Sequence, residues 1–558
     1  MSITPNHNHF DAIIVGSGPG GGITAGLLCD AGFRVLVLER GQDRTYDEIG
    51  RDHLRNQRIS QYGHNGGPDI EGNPRVVELD PRKPGEMSVV KPHQGGYSNN
   101  AAIYGGGARV YGAQAWRFME QDFRMASTYG VPEGSSLADW PLSYQELEPF
   151  YEKAECEIGV CGSAATNTNR AWRKSEYPMP ALPATKAHKT LKRGAEALGW
   201  NTFPTPLAIN SVEYGGRAAC VQCQHCVGFA CPSDSKNGVH NTLLPRAIAT
   251  ELCTVITGAM CETVDTDGRG RVTGVSYLVE SGGSVTRHRA TARAVVVSAG
   301  AIETARLMFN SHTDVHPNGL GNHSGVLGRH LQGHVYSGAL GLFEEPVWDS
   351  IGPGVSISTS QFNHGNAGIV GGGMLSDEFI KTPVIFWHRC FPADVPRWGL
   401  AAKEWMRHAY TRTIHVIGPI QDIPNPECRV QIDRGVRDKF GIPVARLSGA
   451  VHSESLRTGE FMFENARTWL RASGAVRIWG DKPGLHLSAG QHQAGTCRMG
   501  TDPATSVTDP FGRVHGHDNL RVIDASTHVT NGGFNPVLTV MALAFRNASA
   551  LAAELNQL

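Results

Sequence analysis

Short apolar runs that end in glycine-rich turns dominate the N-terminal part of the chain. The first run covers residues 10–15, the second covers 34–38, and the stretch between them, 23–31, has the composition of a helix. A short apolar run bounded by turn signals is typical of a parallel strand buried on both faces. Residues 294–308 show the same order of apolar run, glycine turn and helix. The pattern therefore predicts an α/β fold with a parallel sheet.

The composition is that of an ordinary globular protein. The chain has 558 residues, too many for one small core, so one large domain or two intertwined domains are expected. Charged residues make up 18% and the net charge is −1, so nothing favours a nucleic-acid partner or a polybasic membrane surface.

The sequence also bears on location. No uninterrupted apolar run approaches the ~18 residues of a spanning helix, so no membrane span is predicted. Residues 1–9 have neither a basic start nor an apolar core, which argues against a signal peptide. A cytoplasmic location is therefore expected, where the 12 cysteines would be reduced or metal-bound rather than paired in disulfides.

A dinucleotide-binding fingerprint lies between the first predicted strand and the helix. Gly16 permits the tight turn, Gly18 lets the backbone approach a pyrophosphate, and Gly21 lets the helix pack on the strand. The helix N-terminus supplies N–H groups and partial positive charge for phosphates. Glu39 ends the second strand, where a carboxylate can accept hydrogen bonds from ribose hydroxyls. The fingerprint predicts a dinucleotide site without separating NAD from FAD.

Two further glycine turns could belong to the same site. Gly105, Gly106 and Gly107 would let the backbone pass close to a flat ring. Ala299 and Gly300 form the turn after the strand that begins at residue 294. Taken alone, either turn is equally consistent with plain packing.

The C-terminal region carries the candidate chemistry. His492 begins a His-Gln-Ala-Gly-Thr block, and Asn535 precedes Pro536 in a second block. A neutral imidazole has a pKa near the working pH and can take a proton. Combined with a redox cofactor, this pattern suggests removal of a proton and a hydride from an alcohol.

Together these motifs resemble the glucose–methanol–choline (GMC) flavoprotein oxidoreductases. The resemblance rests on the fingerprint, the Gly105–Gly107 turn running into residues 116–118, the turn at 298–304 and the two C-terminal blocks. It implies FAD rather than NAD, and a Rossmann-like FAD-binding domain beside a β-sheet substrate domain. The FAD domain would comprise residues 8–45, 100–130, 205–330 and 480–558, and the substrate domain 132–204 and 331–479. Residues 46–99 would form a long loop or lid.

The resemblance also implies roles. His492 would be the base and Asn535 would hold the alcohol oxygen where negative charge develops. Asp524 and Ala525 would lie near the FAD phosphate or ribitol, and the helix from Pro536 would point its N-terminus at the flavin. Relatives that bind FAD covalently use a histidine where this chain has Val110. Valine has no nucleophilic atom, so non-covalent FAD is predicted.

Within the family, residues 115–123 and 139–150 resemble the bacterial sugar-oxidising branch. Residues 226–238 are similar to its enzymes that oxidise the 6'-hydroxyl of aminoglycosides in antibiotic biosynthesis. The resemblance therefore implies a sugar or aminoglycoside substrate, with a glucoside 3-dehydrogenase or another sugar or alcohol dehydrogenase as the alternative. The electron acceptor, whether oxygen, a quinone or a protein, stays open.

A cysteine cluster is the second local signal. Cys220, Cys223, Cys226 and Cys231 have nearly the spacing of a ferredoxin run, with one extra residue in the last gap. An iron–sulfur cluster, a zinc site and plain reduced cysteines all remain open at this point. The cluster also allows a different class of function, a thiol or disulfide flavoprotein or an electron-transfer protein.

Overall fold

The central element of the fold is a seven-stranded sheet. The computed structural model describes residues 9–46, 48, 73–92, 94–98, 101–281, 283–378 and 382–557. The sheet contains β1 (His9–Val15), β2 (Val35–Glu39), β8 (Cys253–Thr257), β9 (Ala259–Thr266), β10 (Val272–Ser281), β11 (Ser284–Val297) and β21 (Leu520–Val522). Its order is β8-β2-β1-β11-β10-β9, with β21 parallel to β11. Strands β8, β2, β1 and β11 are parallel to one another, and β9 and β10 are antiparallel.

The parallel strands are buried on both faces, as their unbroken apolar runs predict. In β1, Ala12 and Ile14 contribute to one hydrophobic core, whereas Ile13 and Val15 contribute to the other. Strands β2 and β11 alternate in the same way. The period of two along a strand places successive side chains on opposite faces, so each face needs its own cover.

Helices supply that cover. The helices are α1 (Pro19–Asp30), α2 (Met125–Tyr129), α3 (Tyr144–Ile158), α4 (Lys186–Ala197), α5 (Leu243–Ala249), α6 (Ala301–Asn310), α7 (Pro383–Arg389), α8 (Gly399–Ala409), α9 (Ser453–Ala472) and α10 (Val537–Leu555). Helices α1, α3, α5 and α10 contribute to the core on one face of the sheet, and α6 contributes to the other.

Helix α10 is long and apolar enough, by length and composition, to cross a membrane, and no other helix in the described ranges is. Its most apolar window is 61% buried inside the protein. Packing against α1 and α3 accounts for this composition, because a core helix is apolar on most of its faces.

A six-stranded antiparallel sheet forms the second layer. It contains β7 (Phe203–Pro204), β13 (Tyr336–Leu342), β14 (Ile357–Thr359), β15 (Leu375–Asp377), β16 (Thr413–Pro419) and β19 (Arg477–Trp479), in the order β19-β13-β16-β15-β14-β7. Helices α4 and α9 pack on it and bury Leu191, Phe463 and Trp469 in a third core.

Short strands complete the fold. They are β3 (Arg75–Glu78), β4 (Met87–Val90), β5 (Cys161–Gly162), β6 (Met179–Pro180), β12 (Gln332–His334), β17 (Arg429–Arg437), β18 (Pro443–Ser448) and β20 (Gln491–Ala494). Strands β17, β18, β3 and β4 form one sheet, and β12 pairs antiparallel with β20. The pairing of β12 with β20 brings the start of the antiparallel region against the His492 block.

The segment 46–99 differs from the expected continuous loop. Within its described part, β3 and β4 are regular strands, and β3 pairs in parallel with β18. The partner lies far along the chain, so the local sequence pattern does not show this pairing. Residues 47, 49–72, 93 and 99 lie outside the described residues, and a lid role for the segment stays a prediction.

Candidate active site

A single large cavity gathers the residues that the sequence motifs single out. Its volume is about 930 Å³. The lining includes Gly16, Gly18, Glu39, Gly106, Gly107, Ala299, Gly300, His492, Asp524, Ala525, Asn535 and Pro536. Gly21 and Gly105 lie behind this lining and shape it through packing. The cavity therefore joins segments that are widely separated in the chain.

The first glycine turn tolerates no side chain at two of its positions. Gly16 has φ +102°, and a Cβ there would lie 2.3 Å from the backbone oxygen of Ser298. A Cβ on Gly21 would lie 1.9 Å from the oxygen of Gly16. Gly18 precedes α1, and a Cβ there would make only an ordinary contact, 3.9 Å from the Cα of Gly106. These positions agree with the division of roles expected of the fingerprint.

The Gly105–Gly107 turn packs directly on the first turn. Gly106 has φ +62°, and a Cβ there would lie 2.7 Å from the Cα of Gly18. The N–H of Gly105 donates to Ser17 Oγ at 2.9 Å. Only Gly107 has open space around its missing side chain. The turn thus serves to bring two backbones together, in addition to lining the cavity.

Glu39 is buried at the end of β2 and organises the same turn. Its Oε2 accepts hydrogen bonds from the Ser17 N–H at 3.0 Å and from Ser17 Oγ at 2.6 Å. Its Oε1 accepts from the Gly41 N–H at 2.7 Å. A carboxylate offers about four acceptor positions, so Glu39 retains capacity for a ribose hydroxyl.

Asp524 joins the C-terminal block to the start of α6. Its Oδ2 accepts from the Gly300 N–H at 2.9 Å and from Thr304 Oγ1 at 2.6 Å. Its Oδ1 accepts from the Ser526 N–H at 2.8 Å. The N–H of Gly495 donates to the oxygen of Ala525 at 3.2 Å, which ties this turn to the His492 block. Asp524 therefore aligns three cavity-lining segments.

Two helix N-termini face the cavity. Gly18 caps α1 and Pro536 caps α10, and both line it. The first intrahelical N–H bonds are those of Gly22 to Gly18 and of Val540 to Pro536, so the preceding N–H groups lack helical acceptors. Such N–H groups, with the helix dipole, favour negative charge.

His492 and Asn535 line the cavity and both lie beside Tyr336. The His492 and Tyr336 rings are 6.0 Å apart between centroids. The amide nitrogen of Asn535 donates to the Tyr336 hydroxyl at 3.4 Å, and its buried Oδ1 has no hydrogen-bond partner among the described residues. An unpaired buried amide oxygen at a cavity wall points to a ligand atom that would satisfy it.

His492 itself is held in an unusual backbone conformation. It has φ +67°, which is uncommon for a residue with a side chain and costs about 1–3 kcal/mol. The backbone oxygen of His492 accepts from Asn531 Nδ2 at 2.7 Å. Its Nδ1 lies 2.8 Å from Nδ1 of His334. The surrounding contacts thus fix a strained residue at the site.

The motif at residues 116–118 packs against the loop that carries Asn535. Trp116 stacks on Phe534, with ring centroids 5.2 Å apart. A Cβ on Gly532 would lie 2.8 Å from the Phe118 ring. Both aromatic side chains are buried. The motif therefore packs beneath the loop that carries Asn535, and its own three residues are not part of the cavity lining.

Tyr336 and His334 are site residues that the sequence patterns do not single out. They alternate at the end of β12 and the start of β13, in the segment Gly-His-Val-Tyr. Because the chain has 24 histidines, the presence of a histidine at position 334 does not by itself indicate a site residue. Only the pairing of β12 with β20 shows that these side chains meet His492.

The wall beyond His492 is mixed in charge. It includes Ser376, Asp377, Glu378 and Arg389. Burial raises the pKa of Asp377, which accepts hydrogen bonds from the N–H groups of Ser356 and Ile357. Glu378 is hydrogen-bonded to His415. This end therefore presents two carboxylates and one guanidinium.

The aromatic residues between positions 386 and 398 lie outside the cavity. Phe386 is fully buried in a core formed with α8, and Trp398 is 78% exposed and packs on Trp387. None of these rings lines the cavity. From this segment only Arg389 reaches the lining.

The cysteine segment does not form a metal site. Among the residues that the structure describes, no group of three or more His, Cys, Asp or Glu side chains could hold a metal ion. Burial raises the pKa of Cys226 to about 12, and Lys236 Nζ donates to the Cys226 and Phe229 oxygens at 2.6 and 2.8 Å. The segment thus closes around the Lys236 ammonium group, and its described residues do not fit an iron–sulfur cluster.

Comparison with known proteins places the chain in a family. A FAD-binding domain model matches residues 9–60, and two GMC oxidoreductase models match residues 100–336 and 424–544. Paromamine 6'-oxidase from Streptomyces fradiae is 30% identical over 98% of this chain and 92% of its own length. The chain belongs to the GMC oxidoreductase family. As a GMC protein it binds FAD and oxidises CH–OH groups of sugars or alcohols.

Other GMC proteins show how broad the likeness is. The fructose dehydrogenase large subunit of Gluconobacter japonicus is 27% identical over 98% of both chains. The crystal structure of pyridoxine 4-oxidase from Mesorbium loti is 18% identical, covers 97% of this chain and 98% of its own, and has a TM-score of 0.64. The structural likeness confirms the predicted α/β fold with a FAD-binding domain.

The cavity fits the cofactor of GMC proteins. Glu39 and the turn at Gly16 and Gly18 form a nucleotide end, and the N-terminus of α1 offers N–H groups to phosphates. The unsatisfied Asn535 Oδ1 and the N-terminus of α10 belong to the same lining. The glycines of the lining carry no side chains, so space for the cofactor remains along this wall of the cavity.

Denaturation is expected to release the flavin. Val110 lines the cavity and packs with Ile103 and Ala230, and valine offers no atom for a covalent link. Flavin absorbance should appear wholly in the filtrate after the holoprotein is unfolded and ultrafiltered. Flavin that stays with the chain would contradict non-covalent binding.

Acid is expected to destabilise the folded protein. Burial lowers the pKa of His334 and His528 from 6.5 to about 4, and that of His330 to about 3. Because the unfolded chain binds these protons more readily, stability is complete above pH ~6.5 and falls as the pH drops towards 4. Each such histidine can lower the free energy of unfolding by about 1.4 kcal/mol per pH unit. Equal denaturant midpoints at pH 7.5 and pH 5 would contradict this expectation.

Proposed function

We propose that the protein oxidises a hydroxyl of a sugar or aminoglycoside, with His492 as the base. The observation that carries the proposal is that His492 and Asn535 both lie beside Tyr336 in the wall of a cavity that the dinucleotide fingerprint also lines. A proton acceptor and a hydride acceptor at one carbinol are what oxidation of an alcohol needs.

When bound, FAD would supply a hydride acceptor at N5, which would take the carbinol hydrogen with two electrons. The alcohol would give its hydroxyl proton to His492 and would leave as a carbonyl compound. His492 suits its part because imidazole titrates near neutral pH, whereas the Asn535 amide takes up no proton there. His492 therefore acts as the single base of the pair.

Asn535 and Tyr336 hold the alcohol oxygen. In the structure the Asn535 amide nitrogen donates to the Tyr336 hydroxyl. With the amide oxygen and nitrogen exchanged, the Tyr336 O–H would donate to the amide oxygen, and the amide nitrogen would donate to the alcohol oxygen as negative charge develops. The exchange of amide oxygen and nitrogen needs only a half-turn of the side chain. The contact between Tyr336 and Asn535 thus supports a shared role in binding the oxygen.

The substrate proposed is an amino sugar oxidised at its 6'-hydroxyl, as a step in antibiotic biosynthesis. The likeness to paromamine 6'-oxidase supports this choice. Asp377 and Glu378 at the far wall add carboxylates that suit an ammonium group, although Arg389 offsets one of them. The likeness to a fructose dehydrogenase subunit favours the alternative, a neutral sugar.

The proposed setting is a reducing compartment such as the cytoplasm. None of the twelve cysteines, all of which are among the described residues, is paired in a disulfide, which is typical of such a compartment. A thiol or disulfide oxidoreductase would need a reactive thiolate, but burial raises the pKa of Cys220 and Cys226. The cysteine segment therefore supports alcohol oxidation over thiol chemistry.

Anaerobic flavin bleaching across a panel of alcohols tests the proposal. The holoprotein would be mixed with paromamine, D-glucose, D-fructose and methyl glucoside, and the flavin absorbance followed. We expect paromamine to bleach the flavin fastest. Faster bleaching by a neutral sugar would replace the amino-sugar assignment, and no bleaching by any of them would overturn the proposed function.

A further inference from the structure

We propose that His334 is a positioning residue that fixes the tautomer of His492, so that the lone pair of His492 lies on Nε2. The inference rests on the proposed function, which makes His492 the base. It goes beyond that function because it explains which nitrogen receives the proton and why. Three observations carry it: a contact between two ring nitrogens, two backbone carbonyls and the burial of His334.

The first step concerns the protons of His334. Its Nε2 lies 2.9 Å from the oxygen of Gly532 and 3.1 Å from the oxygen of Asn531. A carbonyl oxygen only accepts hydrogen bonds, so Nε2 of His334 must carry a proton. The tautomer follows from the chemistry of these partners.

The second step concerns the charge of His334. The side chain is buried, and this burial lowers the pKa of His334 to about 4. The titratable groups around His334 are His492 on β20, His528 in the segment after β21, and Asp122. Asp122 is itself paired with His364. At neutral pH His334 is therefore uncharged, and its single proton is on Nε2.

The third step concerns the tautomer of His492, which follows from that of His334. A neutral His334 with its proton on Nε2 has a lone pair on Nδ1, and that atom lies 2.8 Å from Nδ1 of His492. The contact is a hydrogen bond only when Nδ1 of His492 carries the proton. In the neutral His492 ring the lone pair is then on Nε2, at the opposite side of the ring from His334.

This selection matters because a histidine side chain in water favours the other tautomer, with the proton on Nε2. Without an acceptor beside Nδ1, most molecules of His492 would present an N–H where a base is needed. In the proposed reaction the alcohol O–H bond breaks and its proton forms a new N–H bond at Nε2. The resulting imidazolium still donates from Nδ1 to His334, and this charge-assisted bond is stronger than the neutral one.

The fold holds the two rings in register. His334 ends β12, and its partner in the antiparallel pairing is Gln491, the residue before His492. Asn531 binds both residues, since its backbone oxygen accepts from His334 and its amide donates to the backbone oxygen of His492 at 2.7 Å. The contact between the two rings therefore depends on the pairing of β12 with β20 and on the hydrogen bonds of Asn531, as well as on the two side chains.

Nitrogen NMR of the holoprotein tests the tautomer without substrate. With ¹⁵N-labelled histidine at pH 8, the His492 signals, assigned by their loss in His492→Ala, should show a protonated Nδ1 and an unprotonated Nε2. In His334→Leu, which keeps bulk but has no acceptor, we expect the Nε2-protonated form to become the major one. A wild-type His492 with its proton on Nε2, or unchanged signals in His334→Leu, would overturn the proposal.

Flavin reduction by paromamine gives a second readout. His334→Leu should lower the rate constant about 10–100-fold with a smaller change in KM, as expected for a residue that orients a catalytic group. Its pH profile should shift to lower pH, because the imidazolium of His492 loses its acceptor. His334→Asn, which keeps an acceptor near the position of Nδ1, should recover most of the rate, and it also guards against a His334→Leu variant that fails to fold.

The outcomes separate the two proposals. A wild-type protein that no alcohol reduces would remove the proposed function, while the NMR result would still report the tautomer. If the pH profile of His334→Leu matched that of the wild type, and His334→Leu and His334→Asn both reduced the flavin at the wild-type rate, His334 would have no positioning role. His492 would remain the base.

Discussion

Replacing His492 by alanine is expected to slow flavin reduction by the alcohol about 10²–10⁴-fold, the usual contribution of a general base. The proton of the alcohol would then have to go to water, because Asn535 and Tyr336 are not proton acceptors at neutral pH. FAD should remain bound, because other residues, among them Gly16 and Glu39, form the nucleotide part of the cavity. Anaerobic stopped-flow absorbance of the flavin measures the rate.

Two controls make this result specific. His312→Ala removes an exposed histidine outside the cavity and should reduce the flavin at the wild-type rate. Added imidazole should restore part of the activity of His492→Ala, because the shortened side chain leaves space for a free base. An alanine variant with full activity would remove His492 from the mechanism.

The replacement Gly16→Ala should produce protein without FAD. Its Cβ would lie 2.3 Å from the Ser298 oxygen, at φ +102°, so the turn would have to move away from β11. The displaced turn would carry Ser17 and Gly18 with it, and with them the contacts of Glu39 and the start of α1. The flavin-to-protein absorbance ratio after gel filtration should fall close to zero.

Gly32→Ala is the matched control. Gly32 also has a positive φ, +88°, but its Cβ would meet nothing within 4 Å. It therefore imposes backbone strain of about 1–2 kcal/mol without a clash. Gly32→Ala should lower the free energy of unfolding slightly and keep its flavin. Equal flavin content in both variants would show that the Gly16 turn does not shape the cofactor site.

The sequence predicts those parts of the site that depend on local backbone constraints. Gly16, at φ +102° beside a buried strand, can be recognised in the sequence, because glycine adopts this backbone conformation without steric cost. The alternation of cores along β1 is likewise expected from an unbroken apolar run. The roles of His492 and Asn535 needed the family resemblance, since one residue among 24 histidines is otherwise indistinct.

Long-range pairing accounts for what the sequence leaves out. The His334–His492 contact depends on β12 pairing with β20, and β3 joins its sheet partly through β18, which lies far along the chain. The bonding partner of Asp524 is the start of α6, more than 200 positions earlier in the chain. The cysteine spacing suggests a metal site, but buried Lys236 occupies the centre of the segment instead.

The central claim is that an alcohol gives its carbinol hydrogen to the flavin as His492 takes its proton. The direct test is anaerobic flavin reduction by the fastest alcohol of the panel, compared with the same alcohol deuterated at the carbinol carbon. The account predicts slower bleaching with the deuterated alcohol in the wild type. Equal rates over the whole pH range, or bleaching that is as fast in His492→Ala, would contradict it.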